Sequence, residues 1–196
     1  AINKAAIFND SIFLATREGV IAGLLDPGIN LLDFRNWRRY DINQGLPAIN
    51  TRLLEFFNDR LYAVQSDHEI FRYEKGTWES LNTGIAEKIL SLKASERALL
   101  MAAGSRVWLL DDQDDLTVIN NSSIREPLDA IQHEDHIYVA DNLNGIIRIN
   151  QEGSSEVFSP DGPFFTVPNK LERVDDQIIA LPGAYESNYQ QLRSND

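Results

Sequence analysis

The 196 residues are 43% hydrophobic, enough to build one well-packed domain, and contain no apolar run of the length a membrane helix needs. With 30 acidic against 18 basic residues the formal net charge is −12, a field that repels phosphate backbones and anionic membrane surfaces and argues against nucleic acid and membrane insertion. There is no cysteine, so disulfides and thiol chemistry are excluded, and the opening Ala1-Ile2-Asn3-Lys4, without a charged and then apolar leader, reads as the interior of something longer.

In chain order, short runs of β-branched and aromatic residues alternate with Asp/Asn/Gly turns. The first set of strands is expected at Lys4–Phe8, Ile12–Thr16, Val20–Leu25 and, after an insertion from Asp26 to Arg35, Trp37–Asp41. The second falls at Arg52–Phe57, Leu61–Gln65, Ile70–Tyr73 and Thr77–Leu81. The third is Ile89–Ala94, Ala98–Ala102, Arg106–Leu110 and Leu116–Ile119. Helix propensity favours Ile85 to Leu100, which is rich in Ala, Glu, Lys and Leu, but the repeat overrides it. The fourth set is Leu128–Gln132, Ile137–Ala140, Ile146–Ile149 and Glu156–Phe158. A fifth begins at Lys170–Val174 and Gln177–Leu181, then dissolves into Pro182-Gly183-Ala184-Tyr185.

Acidic turns before each second strand, at Asp10, Asp59, Glu96, Asp135 and Asp176, recur at a spacing of about 40 residues. Strand signals alone at that period mark a β-propeller blade, a four-stranded sheet that covers its faces only by stacking on its neighbours. The expectation is an all-β single domain over 1–196: four full antiparallel blades at 4–48, 49–87, 88–127 and 128–168, and part of a fifth at 169–196. It would be a fragment of a larger propeller. Leu100, Val107, Ile137, Val139 and Ile147 are expected in the core, with Trp108 beside them. Trp37 and Trp78, at the start of two outer strands, read as packing residues.

Metal and catalytic motifs are weak. His133-Glu134-Asp135-His136 sits on a tight turn that splays its side chains, and Asp111-Asp112-Gln113-Asp114-Asp115 lacks the glycine and terminal glutamate of a calcium loop, so it reads as a solvated hairpin turn. No nucleophile elbow, triad spacing or phosphate-cradling loop stands out. The sequence therefore carries no cofactor or metal expectation, and no enzyme is expected. In a propeller, the turns between second and third strands crowd one end, where partners bind. That end would present Arg17, Glu18, Asp67, His68, Ser105, Asp141, Asn142 and Asn144 as a candidate ligand or partner face.

Three stretches together resemble a known group: Trp37-Arg38-Arg39-Tyr40-Asp41 with Gly45-Leu46-Pro47, then Ile137-Tyr138-Val139-Ala140-Asp141-Asn142-Leu143-Asn144-Gly145-Ile146, then Ser159-Pro160-Asp161-Gly162-Pro163 before Ala180-Leu181-Pro182-Gly183. In this order they resemble the N-terminal propeller of PorZ-like proteins of Bacteroidetes. That resemblance implies a component of type IX secretion, exported to the periplasm or outer-membrane surface. It implies a binding platform for a sortase partner and surface lipopolysaccharide, with the chemistry left to the sortase. The Ala-Asp-x-x-x-Gly-Ile and Gly-Leu-Pro phrases also resemble two-component-regulator propellers, which implies the alternative of a periplasmic sensor domain of a hybrid histidine kinase that binds an oligosaccharide signal. A propeller lyase or glycosidase ranks third. A PorZ-like first propeller has about seven blades, so open edges are expected here. Either two copies pack across them or Lys4–Phe8 completes the fifth blade, the first being favoured. Tyr185–Asp196 is expected to be poorly anchored.

Overall fold

A computed structural model describes residues 1–158, 167–175 and 177–182. Blade one comprises β1 (Ile2–Phe8), β2 (Ser11–Thr16), β3 (Gly19–Leu24) and β4 (Trp37–Tyr40). Blade two comprises β5 (Thr51–Phe57), β6 (Arg60–Gln65), β7 (Glu69–Glu74) and β8 (Thr77–Leu81). Blade three runs through β9 (Ile89–Ala94), β10 (Ala98–Ala103), β11 (Arg106–Asp111) and β12 (Leu116–Ile119), and blade four through β13 (Pro127–His133), β14 (His136–Asp141), β15 (Gly145–Ile149) and β16 (Ser155–Phe158). The fifth is β17 (Pro168–Val174) and β18 (Gln177–Pro182). Within each sheet the strands follow sequence order and pair antiparallel. Ile89–Ala94 and Ala98–Ala103 are strands, as the repeat required against local propensity. The expected tail, the Asp161-Gly162-Pro163 step and Asp176 lie outside the described residues.

The acidic register marks are turn chemistry. Asn9-Asp10 and Asn58-Asp59 both hold positive φ, the left-handed pair that a two-residue hairpin needs and that Asn and Asp tolerate. Blade three uses a three-residue turn instead, in which the Ser95 hydroxyl donates to the Ala98 carbonyl at 2.7 Å.

Blades stack face on face. Phe13, Ala15 and Val20 of blade one meet Leu54, Leu61, Ala63 and Trp78 of blade two. Tyr62, Val64 and Ile70 then meet Ile89, Leu99 and Met101. Leu100 and Val107 meet Ala130, Val139 and Ile147. Leu100, Val107, Val139 and Ile147 are fully buried, as expected. Ile137 is only partly covered, because it stands next to the hairpin turn, opposite Gln132 and Ile149. Trp108 also departs from expectation: it packs partly exposed at the margin of its cluster, with the Arg106 guanidinium 5.7 Å over its ring. Trp78 is a core residue, and Trp37 lies against Gly23 and donates its indole N–H to the Leu31 carbonyl at 2.9 Å.

The acidic run after β11 is not merely a solvated turn. Asp114 reaches back to blade two, where it pairs with Arg72 and accepts the Tyr62 hydroxyl at 3.0 Å, while Arg60 donates to the Asp112 carbonyl at 2.9 Å. At the two flanks, apolar side chains stand open: Ile7 on blade one, and Val174, Ile179 and Leu181 on blade five. β1 stays paired to β2 within blade one.

Gly45-Leu46-Pro47 is an architectural device. Gly45 ends a 3-10 turn (Ile42–Gln44) at φ 81°, and a Cβ there would lie 2.1 Å from the Trp78 carbonyl oxygen. Leu46 is fully buried in the first interface and the Pro47 carbonyl accepts the Gln65 amide at 2.9 Å.

Two substitutions test this packing. Leu100→Ala should lose about 2–5 kcal/mol of unfolding free energy in denaturant titration. Gly45→Ala should lose more than about 1 kcal/mol, since neither its φ nor its contact with Trp78 admits a methyl group; a neutral result at either position contradicts the packing described.

Candidate functional site

The turns between second and third strands lie at one end of the blades. Arg17 and Glu18 are exposed there, with Glu18 3.3 Å from Arg39 of its own blade. Asp67 is 3.7 Å from Arg52 and 3.8 Å from Lys88, and its carbonyl accepts the Ile89 amide at 2.8 Å, so this turn of blade two is fastened to the entry of blade three. His68 and Ser105 are exposed, and Gly104 backs onto Glu87. Two turns thus border the segment from Glu87 to Ile89.

Asp141, Asn142 and Asn144 divide. Asp141 is fully buried: one carboxylate oxygen accepts the amides of Arg125 and Glu126, each at 2.8 Å, and the other those of Leu143 and Asn144, each at 3.0 Å. It ties its turn to the chain entering blade four, and has no oxygen left for a ligand. Gln65 stands at the same place in blade two and does the same work through Pro47 and Thr51. Asn142 bonds Glu126, and half-buried Asn144 bonds the Ser123 carbonyl at 2.7 Å. Among the described residues no hydrogen bond or ion pair joins the candidate side chains of one blade to those of another.

What does converge lies on the axis. Every innermost strand has a bulge at the same repeat position, opposite the steps Ile2/Lys4, Thr51/Leu53, Ile89/Ser91, Pro127/Asp129 and Pro168/Lys170. The extra residue is re-aimed toward the next blade: Asn3 donates to the Thr51 carbonyl at 2.7 Å, and Arg52 donates to the Ile89 carbonyl at 3.0 Å, which are equivalent bonds one blade apart. Beyond the bulge, alternate residues face the axis in two layers. Lys4, Leu53, Ser91, Asp129 and Lys170 line a cavity of about 340 Å³ toward the turn end. Glu55, Lys93, Ile131 and Glu172 line one of about 480 Å³ toward the other end, which Lys4 also borders.

Charge alternates around this axis. Lys93 of blade three donates to Glu172 of blade five at 2.6 Å, and Lys170 lies 3.3 Å from the same carboxylate. Asp129 accepts the Leu171 amide of the next blade and the Ala130 amide, each at 3.0 Å. Burial pushes the Glu55 and Asp129 carboxyls up; Lys4 and Lys93 oppose this at Glu55, and backbone amides and Lys93 oppose it at Asp129. Burial also acts on Glu172, but Lys93 and Lys170 outweigh it and hold that carboxyl below its ordinary value. These residues escaped the candidate face. Their signal was in the sequence, as charges that recur at matching positions of first strands rich in apolar residues.

No protein-family model matches the chain, and no curated protein matches it in sequence. Solved structures do. The extracellular domain of a one component system from B. thetaiotaomicron superimposes with a TM-score of 0.69 at 12% identity over 90% of this chain. The fold is that of a β-propeller. PorZ, a surface component of the type-IX secretion system of Porphyromonas gingivalis, matches over 96% of the chain with a TM-score of 0.63 and 15% identity. Virginiamycin B lyase from Staphylococcus aureus matches over 88% at 0.63 and 15%. The chain spans 26%, 25% and 59% of those three proteins, respectively.

The axial carboxyls set a pH dependence. A carboxyl raised in the folded state contributes stability below its ordinary value, 4.5 for Glu55, and loses it as pH rises through the folded value. Glu55→Gln removes that loss. Its melting temperature should therefore gain on the parent as pH rises from about 4 to 7, and a difference that stays flat or falls in scanning calorimetry contradicts the burial of Glu55.

Proposed function

We propose that the chain is a non-enzymatic binding module, part of an exported propeller that presents its turn end to a protein partner or a surface glycan. The observation that carries this reading is the fastening of the turns. Asp67, Asp141 and Asn144 are each bonded to the chain entering a blade, so the exposed side chains between them stand on a rigid support. A surface held in place before binding loses less conformational entropy on association. The sequence resemblance to PorZ-like proteins implies a sortase-like partner and lipopolysaccharide as the occupants, and the structural likeness to PorZ, a bacterial surface component, supports the cell surface or periplasm as the place. Two copies meeting across the open flanks, with Ile7 on one side and Ile179 and Leu181 on the other, belong to the same reading.

A second reading, a periplasmic sensor propeller that binds an oligosaccharide signal, draws on the likeness to the B. thetaiotaomicron extracellular domain. Biolayer interferometry separates the two. Binding to a purified type IX sortase weakened about tenfold by charge reversal at the exposed Glu18 and Asp67, or to anionic lipopolysaccharide weakened about tenfold by charge reversal at the exposed Arg17, supports the first. Affinity for neutral oligosaccharides alone supports the second, and turnover on a polysaccharide panel overturns the non-enzymatic reading.

A further inference from the structure

The interface between blades one and two differs from the next one along. Between blades two and three, Arg60, Tyr62, Arg72 and Glu79 stand at register positions that Asp114 closes from the neighbouring blade, with Glu79 2.7 Å from Arg72. The corresponding positions of blade one are Ser11, Phe13, Ala22 and Arg38. Blade two offers them no reaching loop, because β7 and β8 are joined by the tight Lys75-Gly76 turn. With a methyl group at Ala22 where blade two has a guanidinium, a cleft of about 340 Å³ remains open at the end of the blades opposite the candidate face.

Its wall is aromatic. Phe8, Phe13, Tyr40 and Tyr73 lie with ring centroids 5.3 to 6.5 Å apart, and the Tyr40 and Tyr73 hydroxyls are bonded at 2.9 Å. Burial, then the bond to Tyr73, raises the Tyr40 phenol above its ordinary value. Phe8 and Tyr73 are only half covered. The rim carries Asn9, Ser11 and Asn36, none of them charged, and Arg38, whose guanidinium lies 4.9 Å over the Tyr40 ring. No carboxylate lines the cleft, and among the described residues none lies within ion-pair distance of Arg38, in a chain of net charge −12.

We propose that this cleft binds an acidic saccharide unit, a pyranose bearing a carboxylate. A pyranose has an apolar C–H face to lay on Phe8 and Tyr73 and hydroxyls around its edge for Asn9, Ser11 and the free carbonyl oxygen of Asn36, whose amide is engaged by Asn30. An aromatic side chain would fill the wall and leave that polar rim without partners. The carboxylate matches Arg38, which presents a planar fork to it. The volume falls in the range of small-ligand sites. The site is separate from the turn end, so failure of the partner reading leaves it standing.

Saturation-transfer NMR on the intact chain, with methyl glucuronide, methyl glucoside and N-acetyl-phenylalaninate as probes, decides it. Methyl glucuronide should bind about tenfold tighter than methyl glucoside, and Arg38→Gln, at an exposed position, should bring the two sugars level. Charge reversal at Asp67, at the other end, should leave both unchanged. The proposal is overturned by absence of glucuronide binding, by equal affinity for the two sugars in the parent chain, by a glucuronide affinity unmoved in Arg38→Gln, or by N-acetyl-phenylalaninate binding more tightly than the sugars.

Discussion

A four-stranded sheet with two apolar faces is not stable alone, and everything in this molecule follows from how each face is covered. Successive sheets stack around a common axis, with a buried alanine, Ala15, Ala63, Ala102 or Ala140, on each second strand and the bulky Tyr40 and Trp78 on the fourth strands of blades one and two. Stacking therefore brings the first strands together, and their polar side chains with them. The charges on the axis answer one another across blades: Lys93 meets Glu172 two blades on, and the buried Asp129 is held by amides of its own and the next blade.

The architecture was legible because its signals are local. Strand alternation, Asn-Asp turns and the spacing of acidic residues all survive in a single sequence, and they outweighed helix propensity at Ile89–Ala94. The misses have physical causes. First strands begin a residue or two earlier than their alternation shows, at Ile2, Pro127 and Pro168, because the bulge breaks the period of two at that point. Trp108 and Ile137 read as core by hydrophobicity, but their exposure depends on where the neighbouring blade ends, which the residue itself does not encode. The axial carboxylates were hidden for a related reason: Glu55 and Glu172 become neighbours only when five strands meet.

The candidate face illustrates a different limit. Asp141 and Gly45 belong to the phrases that made the chain resemble other propellers, and both prove to be structural, one closing a turn onto the incoming chain and one clearing space for the Trp78 carbonyl. Such motifs recur wherever blades must be joined, whatever the protein binds. Their presence supports the fold, and the ligand has to be sought in residues that the fold does not require, such as Arg38 on its open rim.

The clasp of Asp114 on Arg60 and Arg72 has a consequence for how the array comes apart. In a linear stack, stability is shared between units and the couplings between neighbours, and unequal couplings divide the stack into cooperative blocks. Blades two and three are tied by ion pairs and hydrogen bonds beyond their apolar contact, whereas at the cleft blades one and two share the Tyr40–Tyr73 hydroxyl hydrogen bond and, among the described residues, no ion pair. Blade one is thus held to blade two by fewer bonds than blade three is, which makes the proposed sugar cleft the more open seam of the two and gives any ligand seated there leverage over the cohesion of blades one and two.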